Sequence, residues 1–266
     1  MGTMSSIPAT RSRPIVPFVA PLYRALEPYA YTLIRATTGA VFIPHGVQKL
    51  LSGGYVLGVI ELLAGAAVAL GILTQPAAVL LIVDVLMVIA ANIGKGWLWT
   101  RGGVQYHTFL LGMLLAVAIG GAGRHAVQQS IKQGLVPLGY AFSRVWFALL
   151  ILPSGYEKVF ADGVSRIASG NVLKTGFYPP TFWAWIVALL EFFGMILLAL
   201  GLGTRIVAFM FAVELAVIAV SIQMPNGYFW TSRGAEFALA LFLVCLAYVF
   251  GGGGRYSLDR RIGREF

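Results

Sequence analysis

Ten ionisable side chains sit inside runs of apolar residues, and their types suit proton transfer and hydrogen bonding. The first half of the chain carries His45, Lys49, Glu61, Asp84 and His107; the second carries Glu157, Lys158, Glu191, Glu214 and Glu236. An ionisable group in the middle of a membrane costs on the order of 3 kcal/mol to insert, so each requires a partner, a water-filled cavity or a function. His45 and Lys49 are four residues apart and share a helical face. Glu61 lies about two turns into the next apolar run, near the depth of His45, so a Lys49–Glu61 ion pair is geometrically natural. Asp84 and Glu214 fall mid-run, where a carboxyl must keep its proton or meet a cation.

The pattern occurs twice. Arg35, Pro44, Gly46 and Lys49 reappear as Arg144, Pro153, Gly155 and Lys158 at an offset of 109 (144 − 35). Glu61, Gly71, Thr74 and Asp84 reappear as Glu191, Gly201, Thr204 and Glu214 at 130 (191 − 61). Trp99-Thr100, Gly103 and Gly121-Ala122-Gly123-Arg124 reappear as Trp230-Thr231, Gly234 and Gly252-Gly253-Gly254-Arg255 at 131 (230 − 99). The order never breaks, and an internal duplication in a membrane protein points to where its function sits. His45 and His107 have no imidazole counterpart; Ser154 and Ala238 stand at the matching positions.

The elements that must position these residues are eight apolar runs. They fall at about 30–50, 55–73, 76–93 and 104–122, then at about 139–158, 181–201, 204–222 and 234–250, each near the ~20 residues a bilayer requires. Turn residues separate them, among them Thr74-Gln75-Pro76 and Pro225-Asn226-Gly227. The expected fold is therefore an all-α integral membrane protein, with eight transmembrane helices forming two parallel, pseudo-repeated four-helix bundles. Its parts are an N-terminal arm (1–29), a first unit (30–125), a linker (126–138), a second unit (139–256) and a basic tail (257–266). An insertion at 161–180 makes a candidate external lid. In this arrangement His45, Lys49, Glu61, Gln105 and His107 converge in one bundle, and Ser154, Lys158, Glu191 and Glu236 mirror them in the other.

Composition narrows the function classes. Hydrophobic residues make up 59% of the 266-residue chain and charged residues 11%, well below the ~25% of a soluble domain. Mean hydropathy is +0.84. A single cysteine, Cys245, rules out a disulfide framework, and no haem, flavin, iron–sulfur, zinc or other metal signature is present. The formal charge of +9 does not imply nucleic acid, because basic residues at membrane ends set orientation. The excess over Arg11, Arg13, Arg24, Arg35, Arg124, Lys132, Arg144, Arg205, Arg255, Arg260, Arg261 and Arg264 predicts cytoplasmic N- and C-termini. Pro14, Pro17 and Pro21 break the early apolar stretch, which predicts an uncleaved arm, and Met1-Gly2…Ser6 matches a myristoylation pattern only by coincidence.

Each feature also has a plainer reading. Lys49–Glu61 and Lys158–Glu191 could simply lock helical hairpins together. Arg101 and Arg233 could snorkel, and Trp97, Trp99 and Trp230 could be interface-belt residues.

The combination of an Arg opening the first run, Pro44-His45-Gly46-Val47-Gln48-Lys49 closing it, and Glu61…Gly65…Leu70-Gly71…Thr74 resembles the DoxX family. Gly103…Tyr106 and Gly121-Ala122-Gly123-Arg124 extend the resemblance. The first half fits well; the second is a divergent copy, with Ser154 for His45 and Glu157 for Gln48, so the chain looks like a fused tandem pair. The resemblance implies the membrane subunit of a thiosulfate:quinone oxidoreductase in the bacterial inner membrane. His45, Glu61 and Asp84 would then handle protons. Gln48, Lys49, Trp99, Arg101, Gln105, Tyr106 and His107 would contact quinone or substrate, together with Lys158, Glu191, Glu214, Arg233 and Glu236. Quinone, a small anion, the lipid bilayer and a partner redox subunit are the implied ligands and partners. Two other readings stay open: a membrane scaffold or assembly factor, for which a co-purifying soluble protein would speak, and a small-solute transporter, whose uptake would fail on neutralising Asp84 or Glu214.

Overall fold

A computed structural model describes residues 13–14, 17–128 and 135–265. Arg11, Lys132 and the Met1–Ser6 stretch lie outside the described residues. The chain is built from helices: α1 (Ala20–Leu26), α2 (Ala30–Ala40), α3 (Phe42–Leu51), α4 (Tyr55–Leu70), α5 (Thr74–Asn92) and α6 (Gln105–Gly120). There follow α7 (Val136–Phe160), α8 (Gly163–Ile167), α9 (Pro180–Leu189), α10 (Met195–Leu200), α11 (Thr204–Ile218), α12 (Glu236–Gly251) and α13 (Leu258–Ile262). Two-residue strands β1 (Arg13–Pro14) and β2 (Arg264–Glu265) pair in parallel, which sets the two terminal segments side by side.

Helices form at all eight expected places. Among the described residues four helical stretches are long and apolar enough to cross a membrane: Thr74–Lys95, Val136–Phe160, Pro180–Leu200 and Thr204–Asn226. The apolar helices α4, α6 and α12 have 16 residues each. At 1.5 Å per residue that is about 24 Å, against a hydrocarbon core of ~30 Å. The first run is divided at Val41, which keeps helical angles between α2 and α3. Pro44 supplies the reason, since it has no N–H for the carbonyl four residues back. Exposed Leu80, Val83 and Met87 on α5, with Ile206 on α11, form outward apolar faces that lipid tails would cover.

Close backbone contact fixes the helices around the polar groups. A Cβ on Gly39 would lie 2.4 Å from the Ala69 nitrogen and the Gly65 carbonyl, and one on Gly46 would lie 2.5 Å from the Leu62 nitrogen. One on Gly155 would lie 2.5 Å from the Glu191 backbone. Gly46 and Gly155 each precede their lysine by three residues, so the same helix face that touches also presents the ammonium.

Several hydrogen bonds fall at offset positions. Tyr31 donates to the Gly121 carbonyl and Tyr140 to that of Gly252. The Gln105 N–H bonds the Trp97 carbonyl at 3.0 Å, and the Glu236 N–H bonds that of Tyr228 at 2.9 Å. Arg35 donates to the Val68 and His125 carbonyls; Arg144 donates to those of Leu198, Ala199 and Tyr256. Both guanidiniums cap the end of the neighbouring helix, beside Gly71 (φ +78°) and Gly201 (φ +69°), where a side chain would strain the backbone and collide with the arginine. Arg35 and Arg144, expected as topology charges, are thus buried structural groups, as is Arg205, which donates to the Val249 and Phe250 carbonyls.

One core joins both halves instead of two separate ones: Ile34, Leu81, Met113, Phe147, Met195 and Val244 belong to a single buried cluster. Segment 161–180 packs down through Val164, Ala168 and Val172 onto Ala184 and Ala188 of α9, so it is a wall and not a free flap. Three π-helical turns, Ala168–Val172, Leu190–Gly194 and Ala219–Gln223, all lie in the second half.

Gly155→Leu should destabilise the detergent-purified protein by about 1–3 kcal/mol or more, the usual cost of over-packing. Gly170→Leu, where an added Cβ meets nothing, serves as control. Equal melting temperatures for the two variants would show that the α7–Glu191 contact does not matter.

Candidate functional site

Two polar clusters share one design. In the first, Lys49 Nζ lies 2.6 Å from Glu61 Oε1. The Asp84 carboxyl of α5 lies beside Glu61. In the second, Lys158 pairs with Glu191, and Glu214 of α11 lies beside them. One ammonium therefore faces two carboxyls in each cluster. One oxygen each of Glu61, Asp84 and Glu191, and both of Glu214, are buried without a hydrogen bond.

The helix starts exchange partners between the halves. Glu236, at the head of α12, was expected beside Ser154 and Lys158, but it turns towards the first cluster. His45 Nε2 lies 2.5 Å from its Oε1, Tyr106 donates to that oxygen at 2.5 Å, and the Trp230 N–H donates to Oε2 at 3.0 Å. Conversely Gln105, at the head of α6 and expected beside His45, donates to Ser154 Oγ at 3.3 Å. The reason is packing: α12 lies against α2 and α6 against α7, so each helix start faces the opposite half. His107 is buried in the first cluster, its ring edge-on to Trp230 at 4.7 Å and its Nδ1 without a hydrogen bond.

The second cluster borders open space. A cavity of about 990 Å³ is lined by Arg101, Gln105, Ser154, Lys158, Glu191 and Arg233, among others. A second cavity of about 350 Å³ has apolar walls that include Trp183, Leu190, Phe209 and Val213. Lys158, Glu191 and Glu214 line both, so the triad stands where a polar chamber meets an apolar one. Arg166 bonds Glu157 at 2.9 Å, while Arg101, Lys174 and Arg233 form no ion pair among the described residues, leaving the polar chamber cationic. The π-helical turn Leu190–Gly194 carries Glu191, and the turn Ala219–Gln223 places Gln223 on the chamber wall.

Trp99, Arg101, Gln105, Lys158, Glu191, Glu214 and Arg233 thus gather in one place. His45, Lys49, Glu61, Asp84, Tyr106, His107 and Glu236 gather in the other. Gln48 joins neither; it is exposed. Sequence reasoning missed Asn171, Lys174, Gln223 and Trp183 as cavity residues. A polar residue within the 161–180 insertion was the one available signal, for Asn171 and Lys174. Among the described residues no group of His, Cys, Asp and Glu is arranged to hold a metal ion.

The DoxX family profile matches residues 139–224, the half in which Ser154 and Glu157 replace the motif's His and Gln. An uncharacterized protein of Haemophilus influenzae is 37% identical over 132 residues, covering 48% of this chain and 94% of that protein. No solved structure matches. The chain belongs to the DoxX family and is a membrane protein.

Glu236→Ala should cost more stability than His45→Ala. It strands the Tyr106 hydroxyl and the Trp230 N–H together, and each buried group left unpaired costs about 1–3 kcal/mol. Thermal unfolding in detergent measures both; equal losses would show that Glu236 does not organise the cluster.

Proposed function

We propose that this DoxX-family protein is the membrane subunit of a quinone-linked oxidoreductase of the thiosulfate:quinone type, with its working site in the second half. The observation that carries the reading is the meeting of the two cavities at Lys158, Glu191 and Glu214. The apolar chamber suits the ring and tail of a quinone. The cationic chamber, with Arg101, Lys174 and Arg233 on its walls, suits a small divalent anion and raises its local concentration. Two thiosulfates that join through a new S–S bond release two electrons, and a quinone that accepts them takes up two protons. With one ammonium for two carboxyls, the electrically neutral triad holds one proton, placed where the quinone carbonyl would lie.

The architecture that goes with this reading is a tandem of two four-helix units crossing the bacterial inner membrane eight times. The hydrogen bonds at offset positions support it, as does a relative that spans 48% of this chain. The side-by-side terminal segments support an even number of crossings. With Arg35, Arg144 and Arg205 buried, the remaining arginines of the tails still outweigh the unpaired cations opposite, which favours cytoplasmic termini.

Lipid extracts of the purified protein should contain quinone in near-stoichiometric amount. Folded Glu214→Gln and Trp183→Ala variants should lose most of it, while Gln48→Ala keeps it. Thiosulfate-dependent reduction of a short-chain quinone should survive in Arg101→Gln/Arg233→Gln with a raised KM for thiosulfate and a weaker dependence on ionic strength. A folded wild type that carries no quinone and reduces none would end this reading, and a co-purifying soluble partner would then favour the scaffold.

A further inference from the structure

The two limbs of the second-half hairpin do not pack on each other along their whole length. Helix α9 packs on α7, α8 and the Ala168–Val172 turn, whereas α11 packs on α12, α10 and the Leu190–Gly194 turn. The limbs therefore meet near Gly201–Gly203 and part on the Trp183 side of Leu190. The corresponding helices of the first half, α4 and α5, pack directly. The gap is the apolar cavity of about 350 Å³, with Trp183 and Val187 of α9 on one side and Phe209, Met210 and Val213 of α11 on the other. Trp183, Phe209, Met210 and Val213 are 36–57% exposed. Both limbs belong to stretches able to cross a membrane, so the gap opens sideways, where lipid would lie. Val172, Thr175 and Phe177 add a wall from the 161–180 segment. Where the gap meets the polar chamber stand Glu191 and Glu214, with three carboxyl oxygens between them buried without a hydrogen bond. Glu214 lies about midway along Thr204–Asn226, so this meeting point is deep in the membrane.

An apolar entrance with carboxyls at its inner end suits an amphiphile that enters head first. A lipid acyl chain would fill the gap but leave those oxygens without partners, at a cost of about 1–3 kcal/mol each. A quinone head answers them, because its carbonyls can accept the proton that the carboxyl pair holds. We propose that the gap between α9 and α11 is a side entrance from the bilayer, through which a tailed quinone reaches Lys158, Glu191 and Glu214 head first and leaves its tail among the lipids. The inference rests on the quinone reading above and adds to it a route and a ligand class, quinones dissolved in the membrane. It also separates the two substrates. The anion uses the polar chamber and the quinone uses the gap, so neither has to leave before the other enters.

Accessibility of the carboxyls tests the entrance without turnover. The lipophilic reagent N,N′-dicyclohexylcarbodiimide dissolves in the bilayer and converts a protonated carboxyl to a stable N-acylurea, which peptide mass spectrometry locates. In the full chain reconstituted into phospholipid vesicles it should modify Glu214 or Glu191. Val213→Trp and Met210→Trp each put an indole into the gap from an exposed position. Each should slow the modification at least about tenfold, the least that misfit in an apolar pocket costs a guest. Ile206→Trp, also exposed on α11 but not lining this cavity, should leave the rate unchanged. A long-tailed quinone should protect the wild type, and a tailless, water-soluble quinone at the same concentration should protect it much less. The two gap variants are independent, so misfolding of one, seen by gel filtration, leaves the other decisive. An unmodified wild type would overturn the proposal. So would modification that folded gap variants do not slow, and if quinone still protected, the function above would stand with another route. Slowed modification without protection by any quinone would overturn the choice of occupant together with that function.

Discussion

A lysine half-buried among apolar helices is best served by a carboxylate, and here it meets one because a glycine three residues earlier lets two helix backbones touch. Gly46 and Gly155 set the distance at which Lys49 reaches Glu61 and Lys158 reaches Glu191. A bulkier residue at either place would part the helices and leave an ammonium without its partner in a medium that cannot solvate it. The second acids, Asp84 and Glu214, come from the next helix and complete each triad. Both acid–lysine clusters are organised around these two points of contact.

The exchange at the helix starts makes the two halves one object. Glu236 satisfies His45 and Tyr106, and Gln105 satisfies Ser154, so neither half could close its polar interior alone. The shared core makes the same connection through apolar packing. A change at the head of α12 therefore acts on the cluster of the other half, and the consequences of a substitution need not appear in the unit where it is made.

Much of this was legible in the sequence, and the rest was hidden for definite reasons. The Lys49–Glu61 pair followed from depth and helical spacing, and its counterpart from the offset. A break after the second run also followed, although it was placed at Thr74-Gln75-Pro76 where the helix ends at Gly71, and the guanidiniums beside Gly71 and Gly201 were read as topology charges. An offset tells which residues correspond, but not which half each one faces, so the swap of Glu236 and Gln105 could not be seen. The cavities were invisible because helix packing makes them, and two of the residues on their walls, Glu191 and Gln223, sit on π-helical turns. Such turns alter one hydrogen-bond register without changing composition or periodicity.

The turn at Ala219–Gln223 also has a genetic meaning. Corresponding residues are 130 apart up to Asp84 and Glu214, and 131 apart from Trp99 and Trp230 onward. On the tandem reading, one codon entered the second copy between these markers, and the wide turn is where the helix absorbed it. Gln223, at the end of the turn, now lies on the chamber wall. On that reading a single triplet was taken up by one wide turn, and Trp230-Thr231 and Gly234 still stand where Trp99-Thr100 and Gly103 do in the first half.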